Sequence, residues 1–170
     1  MTIKILGVIL IIAGCAGVGY SLARNYRREE QAMGELVQCL DWMICEMNYR
    51  MPPLAVLFRG ASDVSKGPIS QALGKMAFEL EQQLTPNVEA CMHAAIAAVP
   101  NLPEKPADHL RSLGTSLGQF DLEGQIDRLQ AASVLCKQDL QRMNSGRETR
   151  LRNYQTLGIC AGVALVIILL

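Results

Sequence analysis

The chain has 170 residues, half of them apolar, which fits one domain of ordinary composition. Its sixteen Lys/Arg balance its sixteen Asp/Glu, but all the acidic residues fall within 29–148, where only ten Lys/Arg oppose them, a net of −6. Such an acidic body excludes nucleic acid as the main partner, because phosphate binding needs a basic patch.

The first element in chain order is an uncharged run over residues 5–23, with Tyr20 near its inner edge. A bilayer core of about 30 Å takes about 20 helical residues, and interfacial aromatics sit at its boundary. The run therefore predicts an N-terminal transmembrane helix within residues 1–25. Beyond it, Leu36, Leu40, Met43 and Met47 recur at helical spacing. The first helix is expected to be continuous from the membrane through Arg50, where Pro52-Pro53 stops it.

A short helix is expected over 54–59. Lys66-Gly67-Pro68 then opens another, with Pro68 in its first turn and an apolar stripe of Ile69, Leu73, Met76, Leu80 and Leu84. Thr85-Pro86-Asn87 separates it from a helix over 88–99. Residues 100–106 hold three prolines and read as a loop, and 107–117 as a further short helix. Gly118-Gln119-Phe120 turns into the last helix, for which Asp121 is a suitable N-cap.

That last helix carries the stripe Leu122, Ile126, Leu129, Ser133, Cys136, Leu140 and Met143, with Ser133 its one polar lapse. No proline follows Pro106, so the helix is free to run on into the second uncharged segment, 153–170, with Tyr154 at its edge. The expected fold is all-α: an antiparallel helical bundle of about six helices, residues 26–152, between N- and C-terminal transmembrane helices, the latter 153–170. Gly7, Gly14 and Gly17 in the first segment and the Gly158/Gly162 pair in the second would let helix backbones approach closely in lipid.

Arg24, Arg27 and Arg28 follow the first segment, and Arg147, Arg150 and Arg152 precede the second. Both collars belong to the central domain, so the positive-inside rule places that domain in the cytoplasm. A rival reading turns the protein inside out. Ile12-Ala13-Gly14-Cys15 is similar to a lipobox, which would make Cys15 an acylated residue and the domain exported. Against it, the apolar run continues past Cys15 and arginines follow.

Of the remaining cysteines, Cys39, Cys45, Cys91 and Cys136 lack metal-ligand spacing and read as small buried apolar residues in a reducing compartment. His93 and His109 sit in no catalytic motif, and no phosphate loop or nucleophile elbow is present. The expectation is a protein that is not an enzyme and needs no cofactor and no metal.

The run Leu113-Gly114-Thr115-Ser116-Leu117-Gly118-Gln119-Phe120-Asp121-Leu122-Glu123-Gly124-Gln125 resembles the L-G-x-x-L-G-x-x-D-x-x-x-Q signature of the stage III sporulation protein AB family. The stretch from Leu40 through Glu46-Met47-Asn48-Tyr49 to Pro53-Leu54 resembles a second family region, with Met47 where isoleucine is usual. Asn153-Tyr154-Gln155-Thr156-Leu157-Gly158 and the closing apolar run fit as well. A tryptophan frequent midway through that family's domain has no counterpart in 87–95, since Trp42 is the sole Trp.

The resemblance implies a soluble domain similar to the cytoplasmic domain of the type II secretion platform protein. It implies a place in the mother-cell membrane around the forespore. It further implies service in a secretion-like channel complex, beside a secretion-type ATPase, stage III sporulation protein AA, and other membrane subunits, with homo-oligomerisation by analogy. From the residues themselves, Gly114 and Gly118 would leave backbone accessible, and Asp121 and Gln125 stand one turn apart on one face. One reading makes this corner a tight helix–loop–helix turn capped by Asp121. The other makes Leu113, Gly114, Leu117, Gly118, Asp121 and Gln125 a protein-interaction site. For the whole chain, the alternatives to a platform component are an exported lipoprotein binding module and a membrane-bound signalling bundle.

Overall fold

The computed structural model describes residues 2–82, 87–117, 122–145 and 156, without the side chains of 2–16, 18, 19 and 122. Six helices and no strand occur among them: α1 (Thr2–Arg50), α2 (Leu54–Val64), α3 (Gly67–Gln82), α4 (Val88–Ala97), α5 (Glu104–Ser116) and α6 (Leu122–Ser145). The chain divides into two compact units, one of 29–141 and one of 1–28 with 142–170. In the second unit, the Tyr26 hydroxyl donates to the Met143 carbonyl at 2.8 Å.

Within 29–141, α1 supplies the largest apolar surface. Leu36, Leu40, Met43 and Met47 are fully buried, as their spacing predicts, and Met33 extends the buried stripe by one turn. Burying each such side chain is worth about 1.5–3 kcal/mol. Met51, at φ 47, breaks the helix and leads into Pro52-Pro53. The helix α2 that follows is longer than the expected 54–59. Leu57, Phe58 and Ala61 form one buried face, so the apolar period continues past Gly60. A Cβ at Gly60 would overlap the Trp42 ring of α1, which is why glycine stands there despite its low helix propensity.

The turn to α3 is held from two sides. Its Lys66 amide donates to Glu35 Oε2 on α1 at 2.9 Å. Across α2 and α3, Ser62 Oγ donates to the Ser70 carbonyl at 2.9 Å, and Ser70 Oγ donates back to the Ser62 carbonyl at 2.8 Å. The next helix, α4, packs on both α3 and α5. It opens at Asn87, whose side chain accepts from the Ala90 amide at 2.7 Å. It closes at Ala97, two residues before the expected 99, because Pro100 restricts the residue ahead of it.

Helix α5 begins three residues earlier than expected, at Glu104. Pro106 therefore lies in its first turn, where a missing N–H removes no helical hydrogen bond. His109, expected near a loop, stands within this helix. On α6, Leu129, Cys136 and Met143 are buried. The expected continuation of this helix past Ser145, together with Leu84, Pro86, Gly118 and Asp121, lies outside the described residues.

Among the described residues, no helix is long and apolar enough to cross a membrane. The side chains of 2–16 and nearly all of 146–170, which carry most of the two uncharged runs, are not among them, and the expected transmembrane helices fall there.

Gly60→Ala is expected to destabilise the bundle by about 1–3 kcal/mol through overpacking. Chemical denaturation followed by the fluorescence of Trp42, the sole tryptophan, measures the shift directly; an unchanged midpoint refutes the close crossing.

Candidate protein-interaction site

The corner singled out by sequence divides in two. Leu113, Gly114 and Leu117 lie in the last turn and C-cap of α5 and are buried. The Leu117 amide closes the helix on the Leu113 carbonyl at 2.9 Å. Gly114 is not accessible backbone, as the sequence suggested. A Cβ there would stand 2.7 Å from Met92 Cβ and 3.7 Å from Glu89 Cα, so glycine is what lets α5 press against α4. Around it, Thr115 and Ser116 hydroxyls donate to the Ser112 carbonyl at 2.8 and 3.1 Å, satisfying acceptors at the helix end. Gln125, on α6, is half-buried. Gly118 and Asp121 lie outside the described residues.

A polar constellation that sequence reasoning missed joins α1 to α6. Ser133, the lapse in the apolar stripe, is 3% exposed, and its hydroxyl donates to Asp41 Oδ1 at 2.7 Å. Lys137, one turn further on, donates to the same oxygen at 2.8 Å. Partial burial pushes the Asp41 carboxyl up, but the hydrogen bonds from Lys137 and Ser133, with the lysine's charge, outweigh it and hold the group below its ordinary value of 3.8. On the other flank of α6, Asp139 meets His109 Nε2 of α5 at 3.0 Å. Lys105 of α5 pairs with Glu29 of α1 at 3.7 Å. A signal was present in the sequence: a serine that interrupts an apolar stripe needs a hydrogen-bond partner once it is buried.

The cysteines follow their burial. Cys39 on α1 and Cys136 on α6 are fully buried, and each thiol is pushed up to about 12, by burial first and then by a neighbouring acidic group, Cys136 for Cys39 and Asp139 for Cys136. Such thiols stay protonated and unreactive at neutral pH. Cys91 is buried too, but Cys45 is exposed, against the expectation that all four are interior. Among the described residues, no three of His, Cys, Asp and Glu are placed to hold a metal ion.

These observations define the class first: an all-α bundle in which polar side chains serve chiefly to tie one helix to the next. The family model described as stage III sporulation protein AB matches residues 4–170, and the chain belongs to that family. It is thus a sporulation-related protein. A solved structure of a stage III sporulation protein AB superposes with a TM-score of 0.62 at 14% identity, covering 72% of this chain and 98% of that one, which shows the shared fold. No curated protein matches the chain by sequence.

The Asp41 bridge has a definite pH signature. A carboxylate whose folded value is depressed stabilises the fold above its unfolded value and ceases to as pH falls through the folded one. Wild type should exceed Asp41→Asn in stability above about pH 4, with the gap closing in stronger acid. Both charged side chains are about half exposed, so the charge pair is worth roughly 0.2–1 kcal/mol. Asp41→Ala, which leaves the buried Ser133 hydroxyl without its acceptor, should cost more, on the order of 1–3 kcal/mol. Urea melts across pH 3–7 test both; a pH-independent gap between wild type and Asp41→Asn rules the bridge out.

Proposed function

We propose that this protein is a non-enzymatic, membrane-held assembly component of a sporulation-specific, secretion-like channel complex. It sits in the mother-cell membrane around the forespore with its bundle in the cytoplasm, where it engages a secretion-type ATPase and other membrane subunits. The observation that carries the reading is the layout of the chain. Two uncharged ends, each with an arginine collar on the inner side, flank an acidic helical bundle of a sporulation family. The sequence resemblance supplies the ATPase and the channel. The lipoprotein reading is disfavoured by the apolar run, which continues past Cys15 and is followed by arginines.

Topology tests this reading. Asn101 is exposed, and so is Cys45, so the probe is Asn101→Cys in a Cys45→Ser background. An impermeant thiol reagent should label position 101 in inverted vesicles and not in intact cells. Labelling in intact cells, or a mature protein beginning with a lipid-modified Cys15 by mass spectrometry, overturns it.

The docking role of the α5–α6 corner narrows. Leu113, Gly114 and Leu117 are committed to packing, which leaves Gly118, Asp121 and Gln125, the last two having the side chains through which the corner would meet the ATPase. Replacing both with alanine should reduce ATPase capture at least tenfold while leaving the circular dichroism unchanged. Unchanged capture and normal sporulation would show the corner to be a turn alone.

A further inference from the structure

The two compact units carry opposite charge. Residues 1–28 with 142–170 hold eight Lys/Arg against a single acidic residue, Glu148, a net of +7, while 29–141 hold eight against fifteen, a net of −7. Of the eight basic residues in the first group, seven are arginines, and they fall within 24–28 and 142–152. The excess positive charge is therefore gathered beside the two uncharged runs.

On α1 these arginines share a face. Ala23 and Tyr26 are buried, and the Tyr26 hydroxyl is spent on the Met143 carbonyl, so that side of the helix is turned inward. Tyr20, Arg24, Arg27 and Arg28 stand at i, i+4, i+7 and i+8 and lie together on another side. All four are exposed, Tyr20 at 67%. Among the described residues, no carboxylate pairs with Arg24, Arg27 or Arg28. Glu29, next in the chain, turns to Lys105 instead, and the first carboxylate further along the arginine face, Glu35, accepts from the Lys66 amide.

What such a face meets follows from its place along the helix. Helix α1 is continuous from Thr2 to Arg50, so Arg24 to Arg28 stand within about 8 Å of the end of the uncharged run. The run itself, residues 5–23, is about 28 Å long as a helix, close to the bilayer core of about 30 Å. With that run in the bilayer, the arginines reach the level of the lipid phosphates, and Tyr20 lies at the boundary where amphipathic rings settle. Each guanidinium offers a phosphate a planar fork of donors.

We infer that Tyr20, Arg24, Arg27 and Arg28 form a docking face for the phosphate headgroup of an anionic phospholipid in the cytoplasmic leaflet, an inference that rests on the membrane reading above. A zwitterionic lipid presents the same phosphate with its charge cancelled by a fixed cation, so arginines without carboxylate partners select lipid of net negative charge. Each basic residue at such a surface strengthens the attraction about fivefold.

Spin-labelled lipid tests this with the full-length protein reconstituted into phosphatidylcholine vesicles. The protein should immobilise spin-labelled phosphatidylglycerol about threefold or more over spin-labelled phosphatidylcholine. Arg24→Gln/Arg27→Gln/Arg28→Gln should remove that preference. A variant with the same loss of charge in the other unit, Arg50→Gln/Lys66→Gln/Lys75→Gln, should keep it, and both should retain the wild-type circular dichroism. Arg27→Gln alone should lower the preference, which keeps the test decisive if the triple variant does not reconstitute. Equal immobilisation of the two lipids by the wild type, or a preference that the arginine variants keep, overturns the docking face. So does inorganic phosphate that erases the preference more than sodium chloride of the same ionic strength, which assigns the arginines to a free anion. Carbonate extraction of native membranes separates the two ideas. Retention without lipid preference sinks the docking face alone, whereas extraction of a protein that keeps the preference sinks the membrane reading alone.

Discussion

The side of α1 from Met33 to Met47 is the surface on which the bundle depends. Five long side chains are removed from water there, and the polar residues beside them place the helices that cover them. Trp42 lies against Gly60 of α2, Glu35 accepts from the turn between α2 and α3, Glu29 reaches Lys105 of α5, and Asp41 accepts from Ser133 and Lys137 of α6. Apolar burial supplies most of the free energy but is indifferent to small shifts along a helix. The hydrogen bonds are directional and define position. Three of the five interior residues are methionine, a flexible side chain that fills irregular gaps, which makes such anchoring more consequential.

Two glycines show the same economy from the other side. Gly60 and Gly114 stand where a side chain of a neighbouring helix, Trp42 and Met92 respectively, leaves no room for a Cβ. Each costs helix propensity of about 1 kcal/mol relative to alanine. Each is retained because a single methyl group would collide with that side chain. That is why the glycine-containing run near Gly114 carries packing as well as any role in contact with a partner.

The interior is apolar, its thiols are held protonated, and its buried side-chain polar atoms among the described residues are all partnered. The surface differs from face to face in charge, with a neutral strip on α6 and mixed charge on α2, α3 and α5. Such a distribution is compatible with the proposed assembly role, because charge on a surface discriminates against wrong contacts.

The elements were largely legible in the sequence, since helical period and proline placement are local. Pro52-Pro53 and Pro68 marked helix ends and starts where the structure has them, and the α1 stripe was read from Leu36 to Met47, without Met33. Family membership was legible as well, because it rests on an ordered set of motifs along the chain. The sequence did not reveal that Gly60 continues a helix, that Pro106 begins one, or that Cys45 faces water while Cys39 does not. Each depends on which neighbour fills the space beside the residue. Ser133 is the clearest case. In the chain it is a flaw in a stripe, and only the approach of Asp41, 92 residues away, makes it a bond. Local pattern determines which residues must be buried or turned. Tertiary structure alone decides what they meet, because the partner of a side chain is set by distance in space and not along the chain.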